Sequence, residues 1–269
     1  MRVAWIGLGA MGSRMAARLR DAGQQLVVWN RTREKAEALG VPVASSLAEA
    51  AASADVVFTM LADPEALRAV AADLLPALRE STVLVEMSTV GPAAVEALGH
   101  RALLDAPVLG SLPEAEAGTL KLFVGGEEDV FEGVRPLLET LGEPLRVGPL
   151  GSGAAAKLVA NASLLGTLCL LGEVLALADA LGLARDRAFD VLAATPLAAQ
   201  AERRRPALEA GEYPPRFRLA LARKDAELIR EAAPERLPLL EAVARHLAEA
   251  ERRGLADADY AAVLRSILA

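Results

Sequence analysis

A glycine turn near the start of the chain is the first motif that could do chemistry. Its G-x-G-x-x-G spacing follows an apolar run and precedes an amphipathic stretch, which is the context that a dinucleotide site requires. The first glycine permits the tight turn, the second lets the backbone approach a pyrophosphate, and the third lets helix and strand pack closely. The N–H groups of the helix N-terminus then face the anion. The motif predicts cofactor contacts at Gly7, Leu8, Gly9, Ala10, Met11 and Gly12. A glycine-rich turn without a ligand is the alternative.

The residues about 20 positions after this turn indicate which dinucleotide it would hold. An NAD site usually places a carboxylate there to accept a hydrogen bond from the ribose 2′-OH, but this chain has Asn30, Arg31 and Thr32. A guanidinium with a hydroxyl and an amide favours the 2′-phosphate of NADP(H). We therefore predict NADP(H) as the cofactor. An ordinary exposed arginine beside a threonine that caps the next helix would explain the same residues.

A lysine inside an apolar stretch is a candidate acid or base. Four of the 29 basic residues are lysines, and Lys157 follows the turn at Gly151 and opens a long helical pattern. Asn161 lies four residues further on and therefore on the same helix face. A partly desolvated ammonium can have a lowered pKa and can exchange a proton with a carbonyl or hydroxyl oxygen. From the residues alone, a lysine that extends to solvent and an asparagine that binds backbone is the simpler explanation.

A second lysine shares a helix face with an aromatic residue. Phe217, Leu221 and Lys224 are spaced at i, i+4 and i+7, which places the three side chains on one face. An amphipathic helix with a solvated charged end explains this spacing by itself. The pattern alone therefore assigns no chemistry to these residues.

Short apolar runs alternate with amphipathic stretches through the first half of the chain, which is the pattern of a parallel sheet with helices on both faces. The glycine turn and residues 30–32 then follow the first and second strands. We predict an α/β fold whose N-terminal part is a Rossmann-type, doubly wound sheet. The predicted strands are Arg2–Ile6, Gln25–Asn30, Asp55–Leu61, Thr82–Met87, Leu103–Val108, Thr119–Gly125 and Leu145–Val147.

After residues 151–153 the strand-like runs end, and the rest of the chain has helical patterning. We predict two domains, an NADP-binding domain at 1–151 and an all-α substrate and dimerisation domain at 152–269. An unbroken pattern from Ala154 to Leu183 predicts a long helix that joins them. Because its leucines occupy more than one face, this helix should be buried in a bundle or between subunits. We therefore expect a homodimer or a homotetramer.

The composition excludes several classes of protein. With 29 Lys+Arg against 36 Asp+Glu, the net charge is −7 and repels phosphate backbones, so nucleic acid is not an expected partner. Cys169 permits no disulfide within the chain, and His100 and His246 lack metal-ligand spacing, so no metal site is expected. The longest uncharged apolar segment, 158–172, is shorter than the roughly 20 residues of a membrane span, and the N-terminus lacks signal-peptide regions. We expect a cytoplasmic protein without membrane contact.

Taken in order along the whole chain, these features resemble the β-hydroxyacid dehydrogenase family, which includes 3-hydroxyisobutyrate dehydrogenase, tartronate semialdehyde reductase and the glyoxylate/succinic semialdehyde reductases. Several shared motifs are more specific than the glycine turn. Besides that turn, the resemblance rests on Thr59-Met60-Leu61, Met87-Ser88-Thr89, Asp105-Ala106-Pro107-Val108, Gly151-Ser152-Gly153 with Lys157 and Asn161, Lys224-Asp225 and Asp257-Ala258-Asp259-Tyr260.

The resemblance implies an enzyme that transfers hydride reversibly between NADP(H) and a small β-hydroxyacid, semialdehyde or 2-oxo acid. In that family the lysine matching Lys157 is the catalytic acid/base, and the asparagine matching Asn161 helps to hold the substrate. The family therefore reverses the simpler explanation given above for these two residues. The Asn30-Arg31-Thr32 run is similar to the NADP-preferring glyoxylate/succinic semialdehyde branch.

The resemblance also implies further cofactor contacts. The threonine matching Thr89 and the lysine matching Lys224 lie near the nicotinamide end, and we include Phe217 with them. The loop matching Met60 and Leu61 passes beside the adenosine half.

The loop expected to hold the substrate departs from the family pattern. The family usually has a serine near the substrate carboxylate, where this chain has Leu109, and leucine cannot donate a side-chain hydrogen bond. Either the N–H groups of Gly110 and Ser111 with the Ser111 hydroxyl bind the carboxylate, or the substrate is more apolar than usual.

Two other functions stay open. An imine reductase shares this architecture but normally lacks the lysine, and a non-catalytic NADP-binding protein arises when the lysine is lost, so Lys157 argues against both. A decarboxylating 6-phosphogluconate dehydrogenase resembles the N-terminal half but needs a larger helical domain than 152–269 provides.

Overall fold

The structure, a computed structural model, describes residues 1–233 and 236–269. Within these residues eight strands form one sheet. Their order is β2-β1-β3-β4-β5-β7-β6, and β8 pairs with β7. Strands β1 to β5 are parallel, as are β7 and β8, whereas β7 is antiparallel to β5 and β6. The strands are β1 Arg2–Ile6, β2 Gln25–Trp29, β3 Val56–Thr59, β4 Val83–Glu86, β5 Leu103–Asp105, β6 Val108–Leu109, β7 Leu120–Gly125 and β8 Gly142–Gly148.

Helices on both faces of this sheet bury its central strands, which explains their continuous apolar runs. On one face Trp5 and Phe58 stack with ring centroids 5.3 Å apart. On the other face Ile6 and Val57 belong to a second apolar cluster. The helices around the sheet are α1 Ala10–Asp21, α2 Arg33–Glu37, α3 Leu47–Ala52, α4 Pro64–Leu74, α5 Pro92–Glu96, α6 Leu112–Ala117 and α7 Glu128–Leu141. The predicted α/β fold class with a Rossmann-type sheet is confirmed.

One predicted strand, Leu103–Val108, is two strands in the structure, with a break at Ala106 and Pro107. Proline has no N–H to donate to a ladder, so a strand ends there. After the break the chain leaves β4 and continues antiparallel along β7, with Val108 opposite Leu122. The last predicted strand is also longer than expected and spans Gly142–Gly148.

Three neighbouring parallel strands end in buried polar side chains. Thr59, Glu86 and Asp105 occupy adjacent positions at the carboxyl ends of β3, β4 and β5, and all three are buried. The Asp105 carboxylate accepts hydrogen bonds from the N–H groups of Gly151 at 2.9 Å and Ala154 at 2.6 Å. This carboxylate therefore binds the chain where the next helix starts, and its charge complements the positive end of the helix dipole.

That helix, α8, extends over Ser152–Ala180 and is 29 residues long. By length and composition it is apolar enough to cross a bilayer, and 44% of its most apolar stretch of 18 residues is buried inside the protein. Buried core helices of soluble proteins have the same properties. The chain divides into two compact units, Met1–Leu158 and Val159–Ala269, so α8 begins in the first unit and continues in the second.

The described part of the second unit contains helices and one isolated bridge, between Arg218 and Asp259, but no regular strand. Leucines and alanines on the buried faces pack the helices together. Its helices after α8 are α9 Arg185–Leu192, α10 Ala198–Ala210, α11 Leu219–Ala232, α12 Pro238–Ala250 and α13 Val263–Ile267. The predicted all-α C-terminal part is confirmed.

The tight packing around the Asp105 carboxylate predicts opposite effects on stability for two glycine substitutions. A Cβ at Gly153 would lie 2.2 Å from the Phe123 carbonyl oxygen and 2.9 Å from Asp105 Oδ2, whereas a Cβ at Gly133 in α7 meets nothing within 4 Å. Gly153→Ala should lower the free energy of unfolding by about 2–3 kcal/mol. Gly133→Ala should raise it by roughly 0.5–1 kcal/mol through helix propensity. Urea unfolding measures the free energy of unfolding of both variants. Equal effects would contradict the tight packing of Gly153 against Asp105.

Candidate active site

The glycine turn has the shape of a cradle for a dinucleotide. At Gly7, φ is +97°, and a Cβ there would lie 2.3 Å from the Met60 carbonyl oxygen. A Cβ at Gly12 would lie 2.2 Å from the Gly7 carbonyl oxygen, but a Cβ at Gly9 would meet nothing within 4 Å. Positions 7 and 12 therefore require glycine for packing, and position 9 leaves space through which a phosphate can approach the backbone.

The N-terminus of α1 follows this cradle directly. Helix α1 begins at Ala10 after Gly9 and has no acidic residue in its first turn. Its first N–H groups have no partner within the helix by geometry, and the helix dipole is positive at this end. Leu8 is buried below the turn, whereas Ala10 is exposed and Met11 is half-buried. The turn therefore offers N–H donors to an anion without a competing carboxylate.

Asn30 supports the turn from the neighbouring strand. Its Oδ1 accepts the Leu8 N–H at 2.8 Å, and its Nδ2 donates to the Thr32 carbonyl at 2.8 Å. The amide of Asn30 thus connects the glycine turn to the loop after β2. Its predicted role as a cofactor contact stays a prediction, and the structure shows a supporting role in addition.

Arg31 and Thr32 lie exposed at the end of β2. Thr32 occupies the N-cap position of α2, but its side chain forms no capping hydrogen bond. Arg31 forms no hydrogen bond or ion pair to another residue within 1–233 and 236–269. Both side chains therefore remain available for a phosphate next to the cradle.

Two further predicted loops meet the same edge of the sheet. The Met60 N–H donates to the Ile6 carbonyl at 2.9 Å, and the Leu61 N–H donates to Ser88 Oγ at 2.7 Å. Thr89, next to Ser88, is half-buried. Because β2, β1, β3 and β4 are parallel neighbours, their following loops lie at one edge, where ligands of doubly wound sheets bind.

One N–H group of the predicted substrate loop already has a partner within the protein. The Ser111 N–H donates to Glu114 Oε2 at 2.7 Å, as part of a capping box at the start of α6. A bound carboxylate would have to displace Glu114 to reach this N–H, so the expected backbone role of Ser111 stays a prediction that requires this displacement. Its hydroxyl hydrogen and the N–H of Gly110 keep their predicted roles as candidates.

Lys157 lies on the second turn of α8 and is 9% exposed. The Asp105 carboxylate binds the first turn of the same helix. The end of β5 therefore fixes the position of Lys157 relative to the edge of the sheet. A buried ammonium costs free energy unless polar groups surround it. Lys157 is therefore a buried cation and not a surface cation, which argues against the simpler explanation from the residues alone, and its catalytic role stays a prediction.

Asn161 is one turn further along α8 and belongs to a buried polar cluster of the second unit. Its Nδ2 donates to Asp225 Oδ2 at 2.7 Å, and Lys224 Nζ lies 2.7 Å from Asp225 Oδ1. The carboxylate of Asp225 thus fixes the orientation of the Asn161 amide. Asn161 Oδ1 is buried and has no hydrogen-bond partner among the described residues, so it can accept a hydrogen bond from a ligand.

Asp225 is a site residue that the sequence patterns did not predict beyond its place in the Lys224-Asp225 motif. An aspartate on the buried face of α11 is itself a signal. Leu219, Ala222 and Ala226 lie on this buried face around it. The buried charge of Asp225 is compensated by the neighbouring Lys224 and by the hydrogen bond from Asn161, which is 64 positions away in the chain.

Phe217 lies just before α11, and residues near the C-terminal end of the chain bind its backbone and its ring. Asp259 Oδ2 accepts the N–H groups of Arg216 at 3.1 Å and Phe217 at 3.0 Å. The rings of Phe217 and Tyr260 are 5.2 Å apart. The Asp259-Tyr260 motif therefore supports the segment before Lys224, and contact between Phe217 and a cofactor stays a prediction.

Two family models together match nearly the whole chain. Residues 2–151 match the NAD binding domain of 6-phosphogluconate dehydrogenase. Residues 151–267 match the model described as NAD-binding of NADP-dependent 3-hydroxyisobutyrate dehydrogenase.

Individual relatives agree with these models. Glyoxylate/succinic semialdehyde reductase 2 of Arabidopsis thaliana is 31% identical over 99% of this chain and 79% of its own length. The solved structure of Mycobacterium tuberculosis 3-hydroxyisobutyrate dehydrogenase with L-serine has a TM-score of 0.89 and 32% identity, with both chains fully covered. An imine reductase from Myxococcus stipitatus has a TM-score of 0.68 at 20% identity, covers 100% of this chain and 99% of its own, and shares the fold.

A double-mutant cycle tests the polar cluster of the second unit. Asn161→Ala, Asp225→Ala and the double variant should give a coupling free energy of about 1–3 kcal/mol, because each single change leaves a buried polar group without its partner. The same cycle at the exposed pair Arg187 and Asp190 should give less than about 1 kcal/mol. Chemical unfolding measures both cycles. Additive effects at Asn161 and Asp225 would contradict the hydrogen bond.

Proposed function

The chain belongs to the 3-hydroxyisobutyrate dehydrogenase family of NAD(P)-dependent hydroxyacid dehydrogenases, and from that premise we propose that it is an NADP(H)-dependent reductase of small semialdehydes or 2-oxo acids. The family predicted from the motifs is thereby confirmed, together with the oxidoreductase class. The observation that carries the proposal is the buried Lys157, one helical turn before Asn161 on α8.

The preference for NADP(H) rests on the loop after β2. This loop presents the uncommitted side chains of Arg31 and Thr32 and has no carboxylate that would accept from a ribose 2′-OH. The guanidinium matches a 2′-phosphate in both charge and geometry. The open space at Gly9 and the N-terminus of α1 fit the pyrophosphate.

Lys157 acts as the acid of the reduction. When bound, NADPH supplies the hydride that the carbonyl carbon receives. The Lys157 ammonium donates a hydrogen bond to the carbonyl oxygen, stabilises the negative charge that develops there, and transfers a proton to it. In the reverse direction the neutral amine accepts the proton from the substrate hydroxyl. The low exposure of Lys157 keeps water from competing for this hydrogen bond.

Asn161, Gly110 and Ser111 hold the substrate. Asn161 contributes an amide that Asp225 already orients, so little entropy is lost when the amide binds a ligand. Gly110 contributes its N–H, and Ser111 contributes its hydroxyl. Leu109 gives the loop less capacity to bind a carboxylate than a serine would, which favours substrates with a longer or more apolar chain.

Two alternative functions receive less support. The imine reductase neighbour shares the fold, but an imine reductase normally lacks the lysine that α8 buries here. A non-catalytic NADP-binding protein would have no need for a buried Lys157 next to a pre-oriented Asn161. The retained polar groups favour an enzyme.

We also propose a soluble, cytoplasmic homodimer or homotetramer. Helix α8 and the residue after its end expose large apolar side chains at Val159, Leu170, Leu177 and Leu181. The spacing of these residues places them on one side of the helix. A second copy of the chain would cover this apolar side. We assign cofactor binding to residues 1–151 and substrate binding and assembly to residues 152–269.

Replacement of Lys157 tests the proposed chemistry. Lys157→Ala should reduce kcat by at least about 100-fold, since general acid catalysis contributes that much, while NADPH still binds. Lys121→Ala removes an exposed lysine on β7 that pairs with Glu143 and should leave turnover within twofold. Steady-state kinetics and fluorescence titration with NADPH give the two readouts. Near-normal turnover of Lys157→Ala would remove the lysine from the mechanism.

Replacement of Arg31 tests the cofactor preference. Arg31→Ala should weaken NADPH binding by roughly tenfold or more, which is the effect of losing one charge-assisted hydrogen bond to a phosphate, and should leave NADH binding unchanged. Arg33→Ala, which removes an exposed arginine paired with Glu37, is the matched control. Calorimetric titration with each cofactor measures the effect. Equal losses for NADPH and NADH would refute the assignment.

A further inference from the structure

One buried carboxyl group has no part in the proposed reaction. Glu86 is the last residue of β4 and is 0% exposed. It lies in register with Thr59 on β3 and with Asp105 on β5. A fully buried glutamate loses the hydration of its charge, so its presence here calls for a physical reason.

Glu86 connects the ends of two strands through hydrogen bonds. Its Oε2 accepts from the Thr59 hydroxyl, and its Oε1 accepts from the Ser88 N–H at 2.6 Å. Ser88 Oγ in turn accepts the Leu61 N–H at 2.7 Å. The loop at residues 60–61 and the loop at residues 88–89 are therefore joined by one carboxylate and one serine.

These two loops carry Met60, Leu61 and Thr89, which the resemblance to the family predicts to lie beside the cofactor. The first loop also limits the glycine cradle, because a Cβ at Gly7 would lie 2.3 Å from the Met60 carbonyl oxygen. A shift of Met60 would therefore be transmitted to Gly7. The Glu86 carboxylate therefore influences the positions of three loops at the same edge of the sheet.

The surroundings of Glu86 make its charge sensitive to pH near neutrality. From β3 it faces the uncharged Thr59, from its own loop the uncharged Ser88, and from β5 the carboxylate of Asp105, whose charge is shared with N–H groups at the start of α8. Burial above all, with a smaller contribution from Asp105, raises the pKa of Glu86 to about 7, against the effect of its hydrogen bonds.

Protonation changes what the carboxyl group can do. The ionised group accepts from Thr59 and from Ser88 at once. The neutral group can donate its own hydrogen to Thr59, whose hydroxyl then accepts, and it can still accept from the Ser88 N–H, but both hydrogen bonds lose the strength that the negative charge provides. The connection between the two loops is then weakened.

We propose that Glu86 is a positioning residue for the nicotinamide cofactor: its carboxylate holds the loops at 60–61 and 88–89 in the arrangement that binds the cofactor, and cofactor affinity falls when Glu86 takes up a proton. This inference rests on the proposed function, because it requires the chain to bind NADP(H). Glu86 acts through the two loops and touches no reacting atom.

Binding of NADP⁺ to the full chain by calorimetry at pH 8 and pH 6 tests the proposal. The variant is Glu86→Gln, which keeps the shape of the side chain and resembles its neutral form. At pH 8 its Kd should be about tenfold higher than that of the wild type, a typical size for such a coupling. At pH 6 the two Kd values should agree within about twofold, because the wild type is then itself largely neutral at this position. Comparison at equal pH cancels the titration of the cofactor's own 2′-phosphate.

Two further variants separate positioning from general destabilisation. Glu80→Gln replaces an exposed glutamate before the same strand and should bind like the wild type at both pH values. Ser88→Ala breaks the link to Leu61 and should reproduce the larger effect at pH 8, which keeps the test valid if Glu86→Gln does not fold. A ratio of Kd values that is the same at both pH values would overturn the inference. A wild type that binds no NADP⁺ at either pH would instead overturn the proposed function.

Discussion

The carboxylate of Asp105 bound to the start of α8 is the interaction on which the rest of the structure depends. It accepts the N–H groups of Gly151 and Ala154, so the last residue of β5 determines where a helix of 29 residues begins. Buried charge is costly by itself, but here the helix N-terminus supplies donors and a favourable dipole. Gly125 and Gly153 leave the space that the carboxylate occupies. Lys157 follows on the second turn, and its position is therefore a consequence of the sheet.

The same edge of the sheet gathers the other polar groups. Apolar residues fill the strands up to their last position, and at that position β3, β4 and β5 end in Thr59, Glu86 and Asp105. The loops that follow β1 to β4 are held by hydrogen bonds to the side chains of Asn30, Ser88 and Glu86. A rigid edge of this kind suits a ligand with many contacts, because preorganised donors lose little entropy on binding. The glycine cradle and the loop with Arg31 lie at this edge.

Local patterns were sufficient to predict much of this arrangement from the sequence. The glycine spacing, the apolar strand runs and the long helical pattern each depend on neighbouring residues, and the structure has the corresponding elements. Lys157 and Asn161 gained their roles from the resemblance to a family, because the residues alone favoured a simpler explanation. The split of one strand at Pro107 was open to prediction from the missing N–H. The roles of Glu86 and Asp225 were not, since each depends on partners on other elements, as does the occupation of the Ser111 N–H by Glu114. Such pairs arise from the topology and leave no spacing in the sequence.

The most direct measurement is oxidation of NADPH and NADH by the purified chain with glyoxylate, succinic semialdehyde, tartronate semialdehyde and methylmalonate semialdehyde. We expect that at least one of these carbonyl compounds is reduced, and that NADPH is consumed faster than NADH with that compound. Tight binding of NADPH without oxidation above the buffer rate for any of the four would contradict the proposed reaction.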